Sequence, residues 1–305
     1  MKLLVTGASG LLGLNLALEA GAAHEVIAVD RRKLAGAPFR ILNADLLDEG
    51  AVELVLEQAA PDWVIHCAAL ADLEACESDP GLAKSLNAEL PGELAAACHT
   101  RGVSLVHIST DAVFDGTKED AYTEADEPNP LSVYAQTKLD GEHLVIAANP
   151  DAIVARVNFY GWSPSGRRSL AEFFFNNLRA GKSISGFTDV IFCPMLVTDL
   201  VQVLLSMLEK KLQGLYHAVG PQAMSKYQFG VELARKFGLK EGDISPKSVL
   251  SSTLIARRSH NLWLSTHKLS TDLGQALPGF STGLGRFYTQ YQQGYPQKIR
   301  SYQQQ

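Results

Sequence analysis

The chain has 305 residues, 46% hydrophobic and 20% charged, with a net charge of −6; it is a globular composition with length for one large domain or two unequal ones. The acidic balance gives no electrostatic footprint for nucleic acid, and no Lys/Arg run suggests a membrane surface. No apolar run approaches the ~18 residues of a bilayer span, and the opening "MKLLVTGASG" lacks a signal-peptide pattern, so a cytoplasmic protein is expected.

The first element is a buried strand, "KLLVT", running into Gly7, Gly10 and Gly13 and then an apolar helix. A strand, a glycine turn and a helix N-terminus in that order form a phosphate cradle, and the context points to a dinucleotide. The predicted cofactor-facing residues there are Gly7, Ser9, Gly10, Leu11, Leu12 and Gly13. The second strand, "HEVIAVD", ends at Asp30, whose carboxylate can accept hydrogen bonds from ribose hydroxyls and so favours NAD(H). Arg31 and Arg32 follow at once and can hold a 2′-phosphate, which keeps NADP(H) open. Asp45, with Leu46, follows the third strand and has two readings, adenine recognition or the N-cap of the next helix. Ala68, Ala69 and Leu70 close the fourth strand, where small residues let a cofactor pass.

The fifth strand, "SLVHIST", ends in Ser109, Thr110 and Asp111. Such a triplet commonly just ends a strand by bonding nearby backbone. The helix "SVYAQTKLDGEHLVIAAN" carries Tyr134 and Lys138 one turn apart on one face. Tyrosine near neutrality needs help to exchange a proton; an adjacent ammonium lowers its pKa and can also grip a ribose hydroxyl. A further strand, "DAIVARV", completes a β/α alternation that predicts a doubly wound, Rossmann-type parallel sheet.

After Val157 aromatics and glycines gather in "NFYGWSPSG" and the pattern becomes irregular. The expected organisation is a nucleotide-binding domain over residues 1–157, with 187–217 returning to it. A smaller mixed α/β substrate-binding region covers 158–186 and 218–288. The Gln/Tyr-rich tail at 289–305 reads as a frayed end. Cys67, Cys76, Cys98 and Cys193 form no C-x-x-C pair and are expected to be reduced and buried; no histidine cluster suggests a metal site.

"VTGASGLLG", "STDAVFDG" and "YAQTK", in that order, resemble an extended short-chain dehydrogenase/reductase. Within that superfamily, "HCAALADLEACESDP" and "LNAELPGELAAACHTRG" resemble the dTDP-4-dehydrorhamnose reductase family. The resemblance implies that Thr110 polarises a substrate carbonyl, Tyr134 donates a proton as hydride arrives, and Lys138 holds the nicotinamide ribose. It further implies that Asn87 supports the lysine through water, and that Ser109 lies on the cofactor side. The implied substrate is a nucleotide-linked 4-keto-6-deoxysugar, and a homodimer is a family-level expectation. Around the substrate it implies Asp111, Ala112, Asn158, Phe159, Tyr160, Trp162 and Arg258, with Arg257, Lys226, Arg167 and Arg168 as further candidate cations.

The chain departs from the family on the substrate side. Ala112 stands where the family has tyrosine. The C-terminal signature keeps Arg258, Asn261, Leu264, Lys268 and Leu269, but has Ser259, Leu262 and Trp263 at variable or altered positions. In "DVIFCP" only Asp189 and Pro194 of the family pattern remain, and Phe192, Leu262 and Trp263 imply a more apolar pocket. Two alternatives follow: the same chemistry on another sugar or small carbonyl compound, or a non-catalytic cofactor-binding regulatory subunit like that of methionine adenosyltransferase. The latter predicts a damaged Thr/Tyr/Lys trio, whereas all three residues are present.

Overall fold

Every residue from Leu3 to Thr6 is buried, because helices cover both faces of the sheet to which this strand belongs. The computed structural model describes residues 1–32, 34–251 and 259–303. Its principal strands are β1 (Lys2–Thr6), β2 (Glu25–Asp30), β3 (Arg40–Asn43), β4 (Trp63–His66), β5 (Ser104–Thr110) and β6 (Ile153–Val157). Short strands follow: β7 (Phe159–Tyr160), β8 (Ile184–Phe187), β9 (Ile191–Phe192) and β10 (Met195–Leu196). After them come β11 (Gly214–Ala218), β12 (Met224–Ser225), β13 (Ile244–Lys247) and β14 (Asn261–Leu262).

Seven strands form one parallel sheet in the order β3-β2-β1-β4-β5-β6-β11. This is the Rossmann-type doubly wound order, with its reversal between β1 and β4, where such sheets bind ligands. The late strand β11 pairs with β6 along its whole length, so the chain leaves the sheet after β6 and returns to finish its edge.

The helices of the first half are α1 (Leu11–Ala20), α2 (Ala51–Ala59), α3 (Leu73–Ser78), α4 (Pro80–Lys84), α5 (Leu90–Arg101) and α6 (Val133–Ala148). Those of the second are α7 (Leu170–Arg179), α8 (Val197–Glu209), α9 (Lys226–Phe237), α10 (His267–Leu273), α11 (Phe280–Gln292) and α12 (Tyr295–Ser301). Alternation along β1 divides the core: Leu3 and Val5 join a cluster with Leu16 of α1 and Leu200 and Leu204 of α8. Leu4 joins Val52 and Leu56 of α2 and Leu94 of α5 on the opposite face.

A second core holds the C-terminal part together, built from Trp162, Phe174, Phe175, Phe229 and Phe287. Trp162 stacks on Phe287 at 4.1 Å and meets Phe175 edge-on at 5.3 Å. The tail expected to fray is part of this core. Ile299 is fully buried, and the Tyr302 carbonyl accepts from the Ala35 N–H at 2.9 Å. Its spacing hid this, because the buried residues are few and their partners lie far away in sequence.

Candidate active site

Gly7 opens the site. Its φ is +66°, and a Cβ there would lie 2.7 Å from the Ala68 backbone nitrogen, so the turn admits only glycine. A Cβ on Gly13 would lie 2.3 Å from the Gly7 carbonyl oxygen. These close approaches bring the first turn of α1 against the ends of β1 and β4. That helix has no side-chain cap: Gly10 stands at its N-cap position, so no serine or aspartate side chain seals the turn. The Ser9 N–H donates to Asp30 Oδ2 at 2.8 Å, and the Arg32 N–H donates to Oδ1 at 2.9 Å, which ties the glycine turn to the end of β2.

Two predicted cofactor residues turn their side chains into the core. The Leu12 side chain is buried in the core behind the glycine turn, and Leu46 lies under β2 and α2. Asp45 is not the cap of α2, which begins six residues later after Gly50; it accepts from the Leu47 N–H at 3.1 Å and pairs with Arg31 at 3.3 Å. Ala69 is exposed and Ala68 half-buried beside Gly7.

The reactive cluster forms where β5 ends and α6 begins. Ser132 caps α6 by accepting from the Ala135 N–H, and Glu77 of α3 accepts from the Val133 N–H at 2.9 Å. This pinned first turn sets Tyr134 beside the Thr110 side chain, close enough for Thr110 to act on the phenol. Thr110 Oγ1 also accepts from the Ala112 N–H and donates to Asp111 Oδ1, both at 3.2 Å. Asn158 Nδ2 donates to the other Asp111 oxygen at 2.5 Å. Tyr134, Thr110, Asp111 and Asn158 are thus one continuous chain of contacts.

Burial sets the electrostatics. It pushes the Tyr134 phenol up to about 12, helped by the charge of Asp111, so the hydroxyl is held protonated. This corrects the expectation of a tyrosine tuned downward by its neighbouring lysine. Lys138 Nζ donates instead to the Ile108 carbonyl at 2.6 Å and contacts His107 Nε2 at 3.3 Å. Desolvation brings Lys138 down to about 8, opposed by the nearby charge of Glu142. Asp111 is raised to about 6 by burial.

Asn87 and Ser109 are each fixed by buried side-chain bonds within the protein. Asn87 sits in a π-helical turn, Ser85–Glu89, between α4 and α5. Its side chain accepts from the Leu70 N–H at 2.9 Å and donates to the Leu70 carbonyl at 3.1 Å and to Thr137 Oγ1 at 3.2 Å. It therefore locks the loop after β4 to α6. Ser109 donates to Glu142 at 2.5 Å, and strand alternation sets it on the face opposite Thr110. Glu142 in turn holds Arg156 in a buried, two-pronged ion pair.

Of the predicted substrate residues, Asn158 is half-buried beside Asp111, Phe159 is half-buried next to it in sequence, and Ala112 is half-buried in the turn after Asp111. Tyr160 and Trp162 do not line a pocket; each is 1% exposed within the aromatic core. Phe192 joins that core, and Leu262 packs with Phe114 and Tyr122, leaving Trp263 exposed. Arg167 and Arg168 are exposed, and Lys226 lies close enough to lower the Asp111 pKa. Arg257 and Arg258 lie outside the described residues. Cys76, Cys98 and Cys193 are buried and Cys67 half-buried, all as free thiols.

Residues not anticipated from sequence complete the floor of the site. Thr6, His66 and His107 lie on the sheet face covered by α6, with His66 and His107 stacked at 5.6 Å. The alternation that separates Ser109 from Thr110 would have found His107, two residues earlier on the same face as Ser109.

A profile of the RmlD substrate binding domain matches residues 1–293. The chain belongs to that family. Its RmlD-family relatives include a protein of Haloferax volcanii named probable low-salt glycan biosynthesis reductase Agl14, 34% identical over 78% of this chain and 81% of the relative. Methionine adenosyltransferase 2 subunit beta of Mus musculus is 34% identical over 93% of this chain and 86% of its own. Among solved structures, dTDP-4-dehydrorhamnose reductase of Bacillus anthracis in complex with NADP superposes with a TM-score of 0.86 at 26% identity, covering 95% of this chain and 100% of that one. Among the described residues no helix is long and apolar enough to cross a membrane, and no His/Cys/Asp/Glu group is arranged to hold a metal ion.

Proposed function

We propose that this protein is an NAD(P)H-dependent reductase of a keto group on a nucleotide-linked deoxysugar. The observation that carries the reading is the placement of Tyr134 beside Thr110 at the C-terminal end of β5, on the same end of the sheet as an uncapped glycine cradle. The cradle residues fit a dinucleotide: glycines where a Cβ would strike backbone, and a carboxylate at the end of β2. When bound, the nicotinamide supplies the hydride.

This chain's residues supply the rest. Thr110 and Tyr134 present two hydroxyls to one carbonyl oxygen. Tyr134, kept protonated by its surroundings, gives up its proton as charge builds on that oxygen. Lys138 brings a buried cation to the site, and Asn87 holds the loop after β4 in place. Asp30 favours NADH, although Arg31, largely exposed and paired with Asp45, offers a partner for a 2′-phosphate.

The test is the oxidation of NADH and of NADPH in the presence of nucleotide-linked 4-keto-6-deoxysugars. Turnover is expected, and Tyr134→Phe should lower kcat by about 100-fold or more with the cofactor Kd little changed. The likeness to methionine adenosyltransferase 2 subunit beta supports a second reading, a cofactor-binding regulatory subunit. It predicts tight cofactor binding without turnover of any sugar or simple ketone.

A further inference from the structure

The reaction proposed above leaves His66 and His107 without a role, although both are buried directly beneath Lys138. Their hydrogen bonds fix which ring nitrogen carries the proton. Thr6 Oγ1 already accepts from the N–H groups of Cys67 and Ala68, each at 3.1 Å, so its own proton goes to His66 Nδ1 at 2.8 Å. His66 is therefore protonated on Nε2. An ammonium only donates, so His107 Nε2, 3.3 Å from Lys138 Nζ, is the bare nitrogen and Nδ1 carries the proton. The His66 Nε2 and His107 Nδ1 positions have no hydrogen-bond partner among the described residues.

Lys138 has three N–H bonds to place. The Ile108 carbonyl takes one at 2.6 Å and His107 Nε2 takes the second. We infer that His107 is a positioning residue for Lys138, its imidazole lone pair and the Ile108 carbonyl together fixing the direction of the one N–H left for a bound ligand. Without two such anchors an ammonium on a four-carbon stem turns freely. The consequence for turnover rests on the reductase reading; the anchoring itself does not.

The other titratable groups that act on Lys138 or feel its charge are Glu142 on its own helix, and His66 and Cys67 at the end of β4. Glu142 alone among them offers a negative charge, and it is committed to Ser109 and Arg156. Burial and the Lys138 charge keep both imidazoles neutral near pH 7, which leaves the His107 lone pair available.

The test begins with the ligand-free whole chain labelled with 15N-histidine. At pH 7 His107 should show the Nδ1–H tautomer and His66 the Nε2–H tautomer, with the His107 signals moving in Lys138→Met. Alongside it, NADH and NADPH affinities are measured against pH for His107→Leu and His107→Asn. Leucine removes the acceptor, so the ammonium loses a charge-assisted bond and deprotonates more readily. The alkaline limb of cofactor binding should then move to lower pH by about one unit. Asparagine, whose amide oxygen accepts, should restore most of that shift. An Nε2–H tautomer for wild-type His107 overturns the inference, as does an unmoved limb in folded His107→Leu protein. If no sugar is reduced, the functional reading fails while tautomers and binding still judge the role of His107.

Discussion

At the scale of single residues the site is held by buried polar groups that stability alone would not choose. Asp111 is the clearest case: 4% exposed, with its pKa raised from 3.8 to about 6 chiefly by burial. The folded state binds this proton more tightly than the unfolded chain does. The associated stability is therefore complete below about pH 4 and lost as pH rises through about 6, a difference of up to about 3 kcal/mol. Asp111→Asn keeps an acceptor for Asn158 and a partner for Thr110, and removes the buried charge. It should raise Tm at pH 8 by several degrees and leave it nearly unchanged at pH 4, while turnover falls. Thermal melts across that range check it, and an equal shift at both ends would assign the effect to packing. Tyr134 and Lys138 were legible as neighbours because their spacing puts them one turn apart on a helix, whereas Thr110 stood out from an ordinary strand end only through the family resemblance. The partners of Ser109, Asn87 and Lys138 were not legible, since those bonds join residues from 17 to 50 positions apart.

At the scale of elements, the sheet was legible because strands covered on both faces write themselves as unbroken apolar runs, as in "KLLVT" and "VIAVD". The π-helical turn at Asn87 was not, because one extra residue in a helical stretch scarcely disturbs its apolar period. The glycine turn was legible in outline, and the structure shows which glycine is most constrained. A Cβ on Gly13 would meet the Gly7 oxygen at 2.3 Å and the Ala8 Cα at 2.9 Å, both backbone atoms with nowhere to move. Gly13→Ala should cost about 1–3 kcal/mol and weaken NADH binding, since the cradle opens as α1 is displaced. Gly285→Ala, in α11 with open space around its Cβ, is the matched control and should be neutral or stabilising by up to about 1 kcal/mol. Denaturant midpoints and cofactor titrations of the pair separate local collision from a general effect of adding a methyl group.

At the scale of the whole molecule, the C-terminal end returns to the cofactor half of the fold. Helix α12 and the residue after it bury Ile299 and Tyr302 in the aromatic core, and Gln303 bridges to Leu34, just beyond the Asp30–Arg32 segment that faces the cradle. Tyr295 also donates to Asn15 Oδ1 of α1 at 3.0 Å, while Asn15 Nδ2 donates to the Trp162 carbonyl at the same distance. One polar junction therefore joins the tail, the first helix and the second core. A composition rich in Gln and Tyr concealed this, because the tail has too few apolar residues to show a periodic face of its own. Its order comes from surfaces built by residues more than 100 positions earlier, such as Trp162 and Phe175. The consequence is measurable. A frayed end would tolerate Ile299→Ala within about 0.5 kcal/mol, the usual range for surface changes. A fully buried isoleucine in a packed core should instead cost about 2–5 kcal/mol. Urea unfolding distinguishes the two, with the midpoint expected to fall and the slope to stay constant. Because the same segment pairs with Leu34 and Ala35, NADH affinity should fall with it; a destabilised variant with unchanged affinity would confine the tail to a packing role.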